Sequence, residues 1–397
     1  MAKLSLKDLS IKDKKVLMRV DFNVPMDAHG NITDDTRIKA ALPSIQYLLS
    51  QKGALILMSH LGRPNGKTDP QFSLAPCAQH LSKLLGQPVQ MAPDCIGEKT
   101  EALARALKPG EILMLENLRF HPAEEEPEKD PSFSKQLAAF ADFYVNDAFG
   151  TAHRAHASTV EITRYFPGKA AAGFLLEKEI HFLGEALLHP KRPFYAIIGG
   201  AKVSTKLNVM RALLGRCDAL LVGGGMTYTF LKAQGIPIGK SICEEKMIPE
   251  AKKIMETSKN ITLPVDSLIA NRLEANAEIK HIQNAEGISD GWYGVDIGAD
   301  TLKIYAEKLQ NAATVFWNGP LGIFEIPPFS QGTYAMAHLL ANLSAITIVG
   351  GGESVAAVES AGVSSQFSHI STGGGATLEY LEKGKLPGIE ALSEKIT

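Results

Sequence analysis

The chain has 397 residues, with 41 Lys plus Arg against 43 Asp plus Glu for a formal charge of −2, and is 45% hydrophobic and 21% charged. At roughly 150 residues per domain this is two or three domains, too long for a disulfide scaffold or a peptide module, and the even charge balance offers no global field for nucleic acid or an anionic membrane. Glycine is the unusual count: of 35, 11 lie in residues 1–190 and 24 in residues 191–397.

Residues 1–15 are polar and lysine-rich and lack the apolar stretch of a secretory leader. Strands are predicted at residues 16–20, 54–58, 112–115 and 143–145, each a short β-rich apolar run bounded by turn residues and usually followed by helical periodicity. The acidic run from Glu124 to Asp130 is expected to be a solvated loop. The longest apolar run, Ala170 to Leu176, falls far short of the ~20 residues needed to span a bilayer. Leu176, Ile180, Leu183 and Leu187 then recur at spacings of four, three and four, predicting one amphipathic helix over 174–188. Further strands are predicted at 195–198, 219–222, 314–317 and 346–349, with a weaker one at 261–263. The rhythm is that of α/β domains: two doubly wound units, each a parallel sheet flanked by helices, joined by the central helix with a cleft between. Cys77, Cys95, Cys217 and Cys243 match neither a zinc knuckle nor a redox pair, so a cytoplasmic protein is expected.

In open parallel sheets ligands bind beyond the carboxyl ends of the strands. In the first half those ends carry Asp21-Phe22-Asn23, Ser59-His60-Leu61-Gly62-Arg63, Glu116-Asn117-Leu118-Arg119, and Asn146-Asp147 running on to Arg154 and His156; Arg37 follows the first exit. Guanidinium forks match carboxylate and phosphate oxygens, so Arg37, Arg63, Arg119 and Arg154 on one rim predict a small, highly anionic ligand.

The second half differs. Its strand ends carry Gly199-Gly200-Ala201-Lys202, Gly223-Gly224-Gly225, Asn318-Gly319-Pro320, Gly350-Gly351-Gly352-Glu353-Ser354 and Ser371-Thr372-Gly373-Gly374-Gly375. Glycine there lets backbone N–H groups approach phosphate, and Lys202 and Lys206, four apart near a helix start, can add charge. Glu325 and Glu353 are the acidic groups placed for a ribose hydroxyl and a magnesium ion. The stretch from Gly62 to Thr68 imitates a P-loop but has three residues between its glycines, and no Gly-x-Gly-x-x-Gly occurs, which argues against a nicotinamide dehydrogenase.

These motifs together resemble the phosphoglycerate kinase family: Arg19-Val20-Asp21-Phe22-Asn23-Val24-Pro25, Ser59-His60-Leu61-Gly62-Arg63-Pro64, Glu116-Asn117-Leu118-Arg119-Phe120, Asp147-Ala148-Phe149-Gly150-Thr151-Ala152-His153-Arg154, Gly199-Gly200-Ala201-Lys202-Val203, Trp317-Asn318-Gly319-Pro320 and Ser371-Thr372-Gly373-Gly374-Gly375-Ala376 occur in family order. The resemblance implies a triose domain at 1–173 that binds 3-phosphoglycerate or 1,3-bisphosphoglycerate, with 386–397 packing back on it. It implies a nucleotide domain at 189–385 that binds magnesium ADP or ATP. By matching position, Asp21, Phe22, Asn23, Arg37, His60, Leu61, Gly62, Arg63, Arg119 and Arg154 would hold the triose. Gly200, Lys202, Lys206, Gly223, Gly224, Gly225, Gly294, Asn318, Glu325, Gly351, Gly352, Glu353 and Ser354 would line the nucleotide side, with Glu353 the metal ligand. Arg37, Lys202, Gly373 and Gly374 would serve the transfer itself. The family pattern usually reads Gly-Gly-Asp where this chain has Gly351-Gly352-Glu353, one methylene longer. The expectation is a monomeric enzyme transferring a phosphoryl group reversibly between 1,3-bisphosphoglycerate and ADP; a catalytically silent nucleotide-binding protein of the same fold is the alternative.

Overall fold

The computed structural model describes residues 2–395; Met1, Ile396 and Thr397, the last two in the segment expected to return to the first domain, lie outside the described residues. The chain divides into two units, one running to Ile180 and taking in the segment from Lys385, the other His181–Gly384.

In the first unit, strands β1 (Lys15–Arg19), β2 (Ala54–Met58), β3 (Gln90–Met91), β4 (Ile112–Met114), β5 (Phe143–Asn146) and β6 (Ala170–Ala172) form one sheet in the order β3-β4-β2-β1-β5-β6. Every pairing is parallel. All five residues of β2 are buried, as a strand covered on both faces requires. The helices are α1 (Thr36–Ser50), α2 (Ala75–Leu85), α3 (Glu98–Ala106), α4 (Ser132–Ala138) and α5 (Phe174–Glu179). Val16, Met18, Leu55 and Leu57 of the sheet pack with Ile38, Ile45 and Leu48 of α1 and Leu81 of α2.

The second unit holds α6 (Ala186–Leu188), α7 (Leu207–Leu214), α8 (Met226–Ala233), α9 (Ile248–Thr257), α10 (Ala299–Leu309), α11 (Gln331–Ala341), α12 (Gly352–Ser360) and α13 (Gly375–Lys383), while α14 (Pro387–Glu390) returns to the first. Its parallel sheet runs β15-β14-β13-β7-β8-β9, from β7 (Phe194–Ile198), β8 (Ala219–Val222), β9 (Ile261–Thr262), β13 (Thr314–Asn318), β14 (Ile346–Gly350) and β15 (His369–Ile370). A third, antiparallel sheet was not foreseen: β10 (Asp266–Ala270) pairs with β11 (Ile279–Gln283) and β12 (Tyr293–Ile297). Strand β11 is Ile-Lys-His-Ile-Gln and lies almost wholly in solvent, so it carries no apolar run to read.

The segment 174–188 is helical but is not one α-helix. Between α5 and α6 the stretch Ile180–Glu185 is a π-helix, and Gly184 within it weakens the α-helical preference. Leu176, Leu183 and Leu187 are nonetheless fully buried, so the apolar stripe performs the burial its spacing predicts. Among the described residues no helix is long and apolar enough to cross a membrane.

Candidate active site

In the first unit the β1 exit is held against its neighbours by backbone bonds from Val20 N to Met58 O at 3.0 Å and from Asp147 N to Arg19 O at 2.9 Å. One Nη of Arg37 donates to both carboxylate oxygens of Asp21 and to the Asn23 carbonyl, all at 3.1 Å. Asn23 Oδ1 accepts from Gly62 N at 2.8 Å, and the Gly62 carbonyl accepts from Arg119 at 2.8 Å. Three strand exits are thereby linked into one chain of contacts. Phe22 and Leu61 contribute backbone only, because their side chains belong to the core.

Arg19, quoted above only as part of a motif, is the guanidinium at the centre. It is fully buried and donates from Nε to Ser158 Oγ at 2.8 Å, and its Nη2 lies 3.1 Å from His60 Nδ1. Since a guanidinium only donates, His60 Nδ1 is the acceptor and the ring hydrogen sits on Nε2. Burial, then the charges of Arg19, Arg119 and Arg37, hold His60 well below its ordinary value. Burial, then Arg119, Arg19 and Arg154, push His156 down to about 3. Both rings are therefore neutral polar groups among cations. Arg154 is exposed at the rim; Arg63 is exposed and takes no part in these contacts among the described residues.

The acidic run is not simply a solvated loop. Glu124 is fully buried, accepts from Ser158 N and Oγ at 3.0 and 2.7 Å, and lies 3.9 Å from Arg19. Glu125 reaches Arg119 at 3.1 Å. Clustered guanidiniums need counter-charge, and these two carboxylates supply it from beneath. Arg119 Nε remains buried without a partner, and burial is the first reason that its ionisation is lowered. A cavity of about 530 Å³ lies beside Asn23, Leu61 and Gly62, but no arginine borders it. The guanidinium cluster therefore lies outside that hollow.

In the second unit the glycine-rich exits surround two adjoining cavities that share Gly200, Ala201 and Glu353. The first, about 340 Å³, has apolar walls that include Tyr228, Ile242, Leu273, Tyr293 and Ile323, with Gly224, Gly225, Gly294 and Glu325 on its border. The second, about 400 Å³, is the more polar of the two and is bordered by Lys202, Lys206, Asn318, Gly351, Gly352 and Ser354. Lys206 Nζ donates to Asn318 Oδ1, Asn318 Nδ2 donates to Gly350 O at 2.6 Å, and Ser354 Oγ accepts from Gly319 N at 2.5 Å. Burial lowers the ionisation of Lys206, and Glu353 opposes that. Such a pair of cavities accepts a ligand with a flat apolar end and an anionic end.

Some of these glycines also serve packing. Gly224 has φ +67°, and a side chain there would sit 2.6 Å from Gly200 N. At Gly223 it would strike Leu321, and this residue lines neither cavity. Helix α7 begins at Leu207, which leaves Lys202 and Lys206 on the preceding loop rather than on one helical face. Gly373 N is already taken by Ser371 Oγ at 3.2 Å, and Gly374 precedes α13 at φ 51°. The apolar walls were missed from sequence. Ile242 and Leu273, 44% and 47% exposed, are noticeable only once the fold leaves them uncovered beside the glycines.

A magnesium ion with a nucleotide keeps several waters and takes one or two carboxylates plus phosphate oxygens. The exposed carboxylate of Glu353, in the first turn of α12 and bordering both cavities, fits that donor set.

The sequence pattern of the phosphoglycerate kinase family matches residues 6–385. The chain is 54% identical over 400 residues to the phosphoglycerate kinase of Chlamydia muridarum, covering 99% of each. It is 54% identical over 399 residues to that of Moorella thermoacetica, covering 100% of each. Its structure is similar to that of the phosphoglycerate kinase from Coxiella burnetii, with TM-score 0.87, 42% identity and 98% of each chain covered. The corresponding structure from Pyrococcus horikoshii gives TM-score 0.86 at 34% identity over 98% of each chain.

Proposed function

The chain belongs to the phosphoglycerate kinase family and is a phosphotransferase between ATP and 3-phosphoglycerate; from that premise we propose that the first unit's basic rim holds the triose and the second unit's paired cavities hold the nucleotide. The observation that carries this reading is the contact chain from Arg37 through Asp21, Asn23 and Gly62 to Arg119, built over buried Arg19. It aims guanidinium groups at a small anion, and the second unit offers the elongated site a nucleotide needs.

In the direction of ATP use, the carboxylate of 3-phosphoglycerate attacks the terminal phosphorus, and the bond from that phosphorus to the ADP oxygen breaks. The attacking group is already an anion, so no catalytic base is required. Catalysis rests on in-line positioning and on neutralising charge over the transferring group. Arg37 and Lys202 are the side chains assigned to that task, and the backbone N–H of Gly374 adds to it, whereas that of Gly373 is spent on Ser371 Oγ. Glu353, together with the nucleotide phosphates, would hold magnesium, which would supply further charge neutralisation. His60 donates from Nε2 to the triose as a neutral group. Donor and acceptor are assigned to different units, and keeping water from the transferring group limits hydrolysis.

A coupled assay with ATP and 3-phosphoglycerate, with and without magnesium, tests this. Magnesium-dependent turnover is expected. Nucleotide binding with no turnover would establish the silent alternative instead.

A further inference from the structure

One cluster of chemically reactive side chains lies outside both ligand sites. Asp94 and Cys95 sit between β3 and α3, and His121 follows the short turn Leu118–Phe120. Their donor atoms all lie within 4.8 Å of one another, and this is the one group of three such donors among the described residues. We propose that Asp94, Cys95 and His121 form a binding site for one transition-metal ion of the Zn²⁺ class, separate from the magnesium that accompanies nucleotide.

The backbone positions are fixed before any metal arrives. Ala92 N donates to Met114 O at 2.8 Å, which anchors the chain entering the site. Thr100 Oγ1 donates to the Asp94 carbonyl at 2.9 Å. On the other side, His121 N donates to Leu118 O at 3.1 Å and its ring stacks on Phe133 at a centroid distance of 5.4 Å. Asp94 Oδ1 already meets His121 Nε2 at 2.7 Å and accepts from Cys95 N at 2.6 Å. A preorganised set loses little entropy on binding.

Access and chemistry agree. The Cys95 side chain is fully buried, whereas Asp94 and His121 are 45% and 28% exposed, so an ion can enter from solvent and keep water in a fourth position. Three protein ligands plus water is an open zinc geometry. Thiolate with imidazole favours zinc-like ions, while magnesium demands oxygen donors. On binding, a metal–sulfur bond forms as the S–H bond breaks, with the thiol proton leaving to solvent. His121 Nε2, which donates its hydrogen to Asp94 Oδ1 in the metal-free site, loses that proton to solvent as Nδ1 takes one up, so that the Nε2 lone pair exchanges the hydrogen bond for a metal bond. Cysteine spacing alone could not reveal this site, because it contains a single cysteine.

Titration of the full chain with Co²⁺ tests the proposal, because cobalt bound to thiolate absorbs by sulfur-to-metal charge transfer. One Co²⁺ per chain with that band is expected. The band should survive Cys243→Ser, which removes the partly exposed cysteine, and vanish in Cys95→Ser. Affinity should fall at least about tenfold in Asp94→Asn and in His121→Gln; these exposed positions carry the test if Cys95→Ser does not fold. A folded wild type without the band, a band that persists in Cys95→Ser, unchanged affinity in the other two variants, or displacement of cobalt by excess magnesium would overturn it.

Discussion

Arg37 holds Asp21 through both carboxylate oxygens, yet its side chain is 37% exposed, so it is anchored at the rim and still open to a ligand. Removing it should therefore cost catalysis more than folding. Arg37→Ala is expected to lower kcat by on the order of 10³, the range for an arginine that stabilises a transferring phosphoryl group, with nucleotide Kd unchanged. Steady-state kinetics beside calorimetric nucleotide titration decide it, and unchanged kcat would remove Arg37 from the transition state. His60, Arg119 and Arg154 after strand exits, and Arg37 in the first turn of α1, could be proposed from sequence because the proposal needs only position and polarity. Arg19 and Glu124 were not, because a buried arginine over a buried glutamate reads in sequence as a strand end and a surface loop.

Among the elements, the loop after β8 shows how backbone conformation and site shape are joined. Gly224 combines a positive φ with a close approach to the loop after β7. Gly224→Ala should lose roughly 1–3 kcal/mol of stability from backbone strain alone and raise nucleotide KM, because the two loops border the same cavity. Thermal melts with and without ADP measure both effects, and an unchanged melting temperature would show that the loop gives way. A complementary change is Leu273→Ser on the apolar wall. Leu273 is largely exposed, so stability should stay within about 0.5 kcal/mol, while nucleotide KM rises and triose KM does not. The core strands were readable to within a residue or so because both faces of β1, β2, β7 and β8 are buried. Two-residue β3 and solvent-facing β11 had too few apolar positions to be seen, and Leu273 follows the unforeseen strand β10, which hid part of the first cavity's apolar wall. Packing glycines such as Gly223 could not be separated from lining ones by sequence, since both occupy strand exits.

Across the whole molecule, the buried ionisable groups divide unequally between the units, and that division sets how each responds to acid. His60 and His156, both in the first unit, have ionisation depressed on folding. The unfolded chain binds their protons from about pH 6.5 downward and the folded one does not. Their stabilisation is therefore present above that pH and is lost as pH falls, by about 1.4 kcal/mol per unit for each ring. Asp147 of the first unit and Asp296 of the second are raised by burial to about 7, so each instead loses stability as pH rises from about 4 to 7. Buried Glu124 is also raised and offsets part of the first unit's loss. In the first unit two histidines oppose Asp147 and Glu124, and surface Asp8, Asp27, Asp35 and Asp94, all lowered on folding, add to acid lability further down. In the second unit the raised Asp296 is opposed by Glu244, which is lowered on folding. The first unit should fail first in acid. Both tryptophans of the chain, Trp292 and Trp317, lie in the second unit, so their fluorescence reports that unit alone while far-ultraviolet circular dichroism reports both. Titration from pH 7 to pH 3 should show helical signal falling before fluorescence changes, and His156→Gln should bring the two transitions closer. Coincident transitions in the wild type would show that the units unfold as one and that the unequal distribution of buried charge has no separate consequence.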